Sequence, residues 1–375
     1  MGLSLSEDQT RLLRMRAQRL ILSGAGAQAS AEQVVKEVCG VQAQDLPAAR
    51  LAVGVRGAGL TVLEVERARQ VEGRLVRTWC MRGTLHLVTA EDAAWLIPFL
   101  GPVFIAAGRR RFLELGWDEE RSAVGLRVIR EAIARKGPLT REEIIQILEE
   151  HGLPSEGQAP IHLIYRASLE GSLCYGPDRD KKHTFVLFED WIGKPRPKPR
   201  EEALAELARR YLEAYGPAGP KDLASWSGLA RREAREAWEM IADQLTTVEI
   251  AGQTAWMWKK QLSWLDEALD YAPIVRLLPR FDTYLLGYED RKLLVAPPYA
   301  KRIHPGGGII HPALVVNGRA LGTWKMQPRR AGLEVIVEPF ESLPAEILPE
   351  LEKQVACVGR FLGVEADFKM GDQGS

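Results

Sequence analysis

Leu75-Val76-Arg77-Thr78-Trp79-Cys80-Met81-Arg82-Gly83-Thr84-Leu85-His86-Leu87-Val88 is the stretch on which the fold turns. β-Branched and aromatic residues stand on both sides of an Arg82-Gly83 turn, the pattern of a two-stranded hairpin. Beyond the turn Leu85 and Leu87 alternate with Thr84 and His86, so one face is apolar and the other carries a hydroxyl and an imidazole. Upstream the signals are helical. Ser6 with Gln9 reads as a capping box ahead of Leu12, Leu13, Met15, Leu20 and Ile21; Ser30 with Gln33 repeats it ahead of Val34, Val35 and Val38, ending at Gly40. A third helix is expected from Pro47 to about Arg56, and Thr61 with Glu64 opens a fourth. Helices closed by a hairpin make a winged helix-turn-helix pattern.

The pattern recurs. Val124, Val128, Ile129 and Ile133 form a helical stripe ending at Lys136-Gly137-Pro138, and Thr140 with Glu143 caps a second helix carrying Ile144, Ile147 and Leu148. A third runs from about Ala159 to Glu170, before strands at Leu173–Tyr175 and Thr184–Phe188. The alternating prolines of Lys194–Arg200 favour a stiff linker. After it, Leu204, Leu207, Tyr211 and Leu212 make a helix ending at Gly216-Pro217, the echo of Gly137-Pro138. Lys221–Trp226 and Ala230–Ala242 follow as helices, with Thr247–Ile250 and Thr254–Trp258 as strands. The remainder is rich in strand patterns: Val275–Leu278, Thr283–Leu286, Ala313–Val316, Arg319–Trp324 and Leu333–Val337, with a type I′ turn at Asn317-Gly318. A closing helix capped at Ser342 is expected from Pro344 to Leu362, then a frayed polar tail, Gly371 to Ser375. The fold class is therefore α+β: winged helices at 1–100, 120–190 and 200–260, then a β-rich segment with its closing helix at 270–365.

Lys+Arg 50 against Asp+Glu 50 rules out an all-over basic coat but not a local basic face. The four cysteines, Cys39, Cys80, Cys174 and Cys357, show no CxxC spacing, so neither a zinc site nor a disulfide framework is expected. No secretory signal or membrane-length apolar run stands out, which leads to the expectation of a cytoplasmic protein without a membrane partner. Walker, Rossmann, HExxH and GxSxG motifs are missing, so the commonest strongly marked enzyme classes are set aside.

What remains for chemistry is Val41-Gln42-Ala43-Gln44-Asp45, two amides and a carboxylate directly before a Pro-started helix. In an extended segment Gln42 and Gln44 share a face, where two carboxamides hold a water or grip a nucleotide; solvated residues on a helix approach are the plainer reading. Basic residues cluster at Arg109-Arg110-Arg111, Lys181-Lys182, the linker and Arg329-Arg330, and any single cluster is equally a solvated charge run. His86 reads as a hydrogen-bonded wing histidine with no triad partner, Arg280 and Asp282 as an ion pair or an orienting pair, and Trp324 as a core aromatic or a stacking platform.

Taken together and in order, Gln42-Ala43-Gln44-Asp45, Met81-Arg-Gly-Thr-Leu-His86, Leu278-Pro-Arg-Phe-Asp282 with Gly287-Tyr-Glu-Asp-Arg291, and Asn317-Gly-Arg-Ala-Leu-Gly-Thr-Trp324 resemble the AlkZ-like DNA glycosylases over nearly the whole chain. The resemblance implies three winged helices around a concave DNA-binding face, excision of bulky N-alkylated purines, and unhooking of interstrand crosslinks. The catalytic Gln-x-Gln pair of that family falls on Gln42 and Gln44; a sister group carries Gln-x-Asp. The expectation is a monofunctional glycosylase acting as a monomer on double-stranded DNA carrying alkylated purines, without metal or organic cofactor. Asp45, Arg82, Thr84, His86 and Asp282 are its candidate supporting residues, and Arg109, Arg110, Arg111, Lys181, Lys182, Arg291 and Trp324 its candidate DNA contacts. A non-catalytic winged-helix regulator and a protein-binding scaffold are the rival readings.

Overall fold

Side-chain caps determine where several helices begin. Ser6, Ser30 and Thr140 each accept a hydrogen bond from the backbone N–H three residues on, and Gln9, Gln33 and Glu143 reach back to the cap. Two otherwise orphaned donors are satisfied at each start, and the helices that follow are Glu7–Ala17, Ala31–Glu37 and Arg141–Glu150. The computed structural model describes residues 3–21, 28–266 and 273–371. Its helices and largely antiparallel sheets make an α+β protein, which divides into two compact units, Met1–Val65 with Leu204–Ser375, and Glu66–Ala203.

In the first unit Leu3–Leu5 joins a three-stranded sheet. Leu3–Leu5 lies parallel to Leu245–Ile250, which turns at Ala251-Gly252 into Gln253–Trp258. Leu5, Leu13, Val248, Ile250, Ala255 and Met257 share the core there. Three residues carry no readable period, so this first strand is absent from the sequence expectations. Behind the same sheet Tyr211 and Tyr215 stack at 4.9 Å, and Trp226 Nε1 donates to the Tyr215 hydroxyl at 3.0 Å. Gly287 makes room for this cluster, since a Cβ there would stand 2.3 Å from the Tyr215 ring.

A five-stranded sheet follows in the order Val275–Leu278, Ala313–Val316, Arg319–Arg329, Gly332–Pro339, Ala366–Met370. Asn317 and Gly318 both take positive φ, 46° and 81°, as a type I′ turn demands. Helix Leu348–Leu362 buries Leu351, Val355, Val358 and Phe361 and packs on the first and last strands. Three expectations need correction. Thr283–Leu286 is a helical turn and not a strand, because the Asp282 side chain caps it by accepting from Tyr284 N. The closing helix begins at Leu348 after a 3-10 turn, Ala345–Ile347, and neither starts at Ser342. It does not close the fold, since Ala366–Met370 pairs parallel with Leu333–Val337. The expected frayed tail lies outside the described residues beyond Gly371.

Helix Leu46–Gly54 is held from below by Arg56, which is fully buried. Its guanidinium grips Asp282 through two parallel bonds, Nη1 to Oδ2 at 2.8 Å and Nη2 to Oδ1 at 2.7 Å. Nη1 also donates to the Ala52 carbonyl at 2.9 Å, and Nη2 to Gln18 Oε1 at 3.2 Å. The Thr283 hydroxyl donates to Gln18 Oε1 at 2.8 Å, and Gln18 Nε2 to the Ala214 carbonyl at 2.7 Å. Four chain segments therefore meet at one dry, hydrogen-bonded ion pair. Asp282 and Arg280, expected as partners of each other, are not paired: Asp282 belongs to Arg56.

The second unit is arranged around Ala90–Glu114, the longest helix among the described residues. By length and composition alone it would cross a membrane, but Trp95, Leu96, Ile97 and Leu100 are buried inside the fold. It packs on helix Ala159–Leu169 so closely that a Cβ on Gly101 would lie 2.0 Å from the Leu169 carbonyl oxygen. Helices Glu119–Lys136, Arg141–Glu150 and Ala159–Leu169 lead into strands Leu173–Tyr175 and Thr184–Leu187.

Removing one member of the Arg56–Asp282 pair strands a buried charge. Arg56→Met and Asp282→Asn are each expected to cost about 3–5 kcal/mol of stability, and Arg56→Met with Asp282→Leu much less than the sum. Urea titrations of the three variants followed by circular dichroism measure this; additive losses would show that the two residues do not act as a unit.

Candidate active site

The amide pair sits where a strand hands over to a helix. Helix Ala31–Glu37 ends with Cys39 and Gly40 at positive φ, 55° and 91°, which turns the chain into the two-residue strand Val41–Gln42. Asp45 is the N-cap of Leu46–Gly54, its Oδ1 accepting from Ala48 N at 3.0 Å, and Pro47 lies in the first turn, where its missing N–H costs nothing. The strand stops at Gln42 and the chain bends at Gln44 and Asp45, so strand alternation does not carry through the motif as expected. Gln42 is 6% exposed, Ala43 is buried and Gln44 is open to solvent. One amide is built into the fold and the other is presented.

Asp45 is engaged on both oxygens. While Oδ1 caps the helix, Oδ2 faces Arg280 Nη1 at 3.6 Å, with the aspartate side chain 30% exposed. Arg280 also lies over the Phe281 ring at 5.3 Å, and Phe281 takes a left-handed φ of 57°. The turn Pro279–Thr283 thus touches the same helix twice, through Arg280 at its start and Asp282 near its end. Neither Arg56 nor Gln18, the buried half of this support, stands out in the sequence. An arginine closing an apolar helix carries no spacing signal; Asp45 as a cap before Leu46-Pro47 does.

Other expected site residues lie in the second unit and are described there by themselves. Leu75–Trp79 pairs with Leu85–Thr89, and Arg82 (φ 56°) and Gly83 (φ 65°) form the turn. A Cβ on Gly83 would stand 2.6 Å from the Tyr165 hydroxyl, so glycine is required twice over. Arg82 and Thr84 are half-exposed, with the Thr84 hydroxyl donating to the Met81 carbonyl at 3.1 Å. His86, read from the sequence as a hydrogen-bonded histidine, is 1% exposed and places Nδ1 3.0 Å from the Thr84 carbonyl. Burial, reinforced by the Arg82 charge, pushes the imidazole from its ordinary 6.5 down to about 3. It is a neutral core group, and the reading of His86 as a ligand contact is corrected.

The basic residues divide. Arg109 is exposed; Arg110 and Arg111 both face Glu114, at 2.9 and 3.4 Å, and Arg111 also reaches Gln158 at 3.0 Å. Lys181 is exposed and Lys182 lies 3.7 Å from Glu142. In the first unit Arg291 is half-buried, donating at 3.4 Å to the Tyr288 carbonyl and lying at the same distance from His304 Nδ1. Trp324 is 4% exposed and gives its Nε1 proton to the Leu278 carbonyl at 2.8 Å. An indole packed and hydrogen-bonded within the sheet has no face to offer a base, which overturns its reading as a DNA contact.

Comparison with known proteins puts this architecture among the DNA glycosylases, hydrolases of N-glycosyl bonds. The family described as DNA glycosylase AlkZ-like matches residues 35–361, a span that holds the amide pair and both ion pairs. The chain belongs to that AlkZ-like family. The interstrand DNA cross-link repair glycosylase of Streptomyces sahachiroi is 32% identical over 363 residues, 90% of this chain and 92% of its own length. The solved structure of the Streptomyces sahachiroi DNA glycosylase AlkZ matches with a TM-score of 0.77 at 28% identity, covering 98% of this chain and 100% of that one.

The depressed His86 value carries a pH signature. A ring that stays neutral in the fold but protonates when unfolded contributes fully above 6.5, and that contribution is lost as the pH falls towards 3. Stability should fall across this window by up to about 1.4 kcal/mol per pH unit from this group. In His86→Gln the slope should flatten by that amount in urea unfolding measured at several pH values.

Proposed function

We propose that the chain excises N-alkylated purines, N7-alkylguanines among them, from double-stranded DNA, with Gln42 and Gln44 positioning the attacking water. The observation that carries this is the motif's setting: a covered amide and an open one, immediately before a helix tied to the turn Pro279–Thr283 at both ends. A residue held by its own cap and an outside ion pair has little freedom left to lose when a substrate arrives.

The chemistry asks for little more. An N7-alkylated guanine is cationic, and its departure from C1′ takes the bond's electron pair back into the ring and neutralises it. Strong acid catalysis of the leaving group is unnecessary. Water adds to the oxocarbenium-like sugar, forming the C1′–O bond and releasing a proton to solvent. Neutral amides accept from and donate to that water without competing as bases, which is catalysis by positioning. Asp45, committed to its cap and to Arg280, acts by holding Gln44 in place.

A crosslinked base is tethered to the opposite strand and cannot swing into an enclosed pocket, as many glycosylases require. The similarity to a cross-link repair glycosylase supports extending the reading to interstrand crosslinks. Winged-helix modules at 1–100, 120–190 and 200–260, supported by the helix–helix–helix–hairpin order of residues 119–187 and 200–258, would carry the duplex as a monomeric cytoplasmic enzyme. Arg82, Thr84, the three arginines Arg109–Arg111, Lys181, Lys182 and Arg291 are the proposed phosphate and sugar contacts.

Two outcomes follow. Gln42→Ala and Gln44→Ala should each slow single-turnover release of N7-methylguanine at least tenfold, about 1.4 kcal/mol of barrier, with Gln44→Asp milder. Duplex affinity in the same variants should stay nearly constant and fall steeply with salt, because phosphate contacts release counterions. Unchanged excision in both alanine variants would remove the amides from the mechanism. Duplex binding by a wild type that releases no base from any alkylated DNA would favour the regulator reading, and salt-independent or missing binding the scaffold.

A further inference from the structure

Away from the amide pair, the first unit contains a cavity of about 520 Å³, a size typical of small-molecule sites. Its walls come from the far end of helix Leu46–Gly54, the loop Gly57–Thr61, strand Val275–Leu278 and helix Leu348–Leu362. The surfaces are of two kinds. Leu51, Leu60, Val358 and Phe361 supply an apolar floor, and Gly54 lets Phe361 lie flat on the helix, since a Cβ there would meet the ring at 2.4 Å. Against this floor stand two guanidiniums, Arg276 and Arg360, and no Asp or Glu lines the space.

The two cations differ in exposure, Arg276 being half-buried and Arg360 open to solvent. Among the described residues neither forms an ion pair. Arg276 turns Nη1 back onto the Val275 carbonyl at 2.7 Å, and its Nε is buried without a hydrogen-bond partner. Burial lowers its pKa from the usual arginine value, opposed only weakly by Cys357 and Glu350, and Glu350 is itself paired with Lys353 at 2.6 Å. Arg360 donates through Nη2 to Cys357 Sγ at 2.9 Å, a soft acceptor where a carboxylate is usual. A half-desolvated positive charge with an unused donor costs free energy unless an anion satisfies it. In a chain with no net charge, a pocket carrying two positive groups and no negative one is a local imbalance.

We propose that this cavity binds an amphipathic organic anion, its acidic head between Arg276 and Arg360 and its apolar body on Leu51, Leu60, Val358 and Phe361. The site is separate from the amide pair. Cys357 provides a reporter, because it is the exposed thiol of the four while Cys39, Cys80 and Cys174 are buried.

The test uses full-length protein and the aromatic sulfonate 1-anilinonaphthalene-8-sulfonate, with the uncharged N-phenyl-1-naphthylamine as its partner probe. The sulfonate should bind saturably at one site and slow iodoacetamide alkylation of Cys357, read by mass spectrometry, at least tenfold at saturation. Arg276→Gln and Arg360→Gln should each weaken the sulfonate about tenfold, the loss expected for a charge-assisted hydrogen bond, and leave the uncharged probe unchanged. Circular dichroism checks the fold of the variants, and the wild-type protection experiment stands without them. Absence of saturable binding, binding that leaves Cys357 unprotected, or equal sulfonate affinity in folded arginine variants would each overturn the proposal.

Discussion

A single helix, Leu46–Gly54, is tied at both ends to one short turn, and the candidate chemistry depends on that constraint. At its end Arg56 makes a bidentate, fully buried pair with Asp282; at its start Asp45 caps the first turn and faces Arg280. The two contacts differ in kind. A buried pair lacking either member is strongly destabilised, whereas a half-exposed pair at 3.6 Å contributes little energy and chiefly sets direction. Together they prevent the helix from sliding or rotating, and so fix the backbone of Gln44 and Asp45 beside it. The Gln18 and Thr283 side chains add hydrogen bonds at the buried end, and Arg56 Nε is left there without a partner.

Arginine repeatedly does this structural work. In the second unit Arg69 is 3% exposed between Glu66 and Asp178, and His183 joins Asp178 from the other side at 2.8 Å. Although burial opposes it, these hydrogen bonds pull the Asp178 carboxyl down to about 2. Arg110, Arg111 and Lys182 likewise have carboxylates within reach. At these positions positive charge is locally neutralised, so in the proposed DNA complex a phosphate backbone would compete with these carboxylates for their cations.

In the proposed excision of an N-alkylated purine the leaving group is already made cationic by its lesion, and two neutral amides held before a helix suit that demand. Under that proposal no strongly perturbed acid or base is needed beside the amides. His86, Cys174 and Tyr284 are displaced from their ordinary pKa values because they are packed side chains, and burial is the first cause of each shift.

Much of the architecture was legible in the chain. Capping boxes at Ser6, Ser30 and Thr140, the Asn317-Gly318 turn and the hairpin around Arg82-Gly83 are local signals, because a cap or a positive-φ pair is decided by residues within a few positions. The Gln42–Asp45 motif was legible for the same reason, as a short pattern before a proline-started helix. What tertiary structure alone decided is everything settled at long range. Leu3–Leu5 and Ala366–Met370 became strands only because distant strands offered them an edge. Asp282 took Arg56 rather than Arg280 because only the folded chain brings Arg56, just past the end of helix Leu46–Gly54, against that turn. Trp324 and His86, which the sequence left open between a packed role and a contact role, are buried, since alternation along a strand says which residues share a face but not which face the rest of the chain will cover.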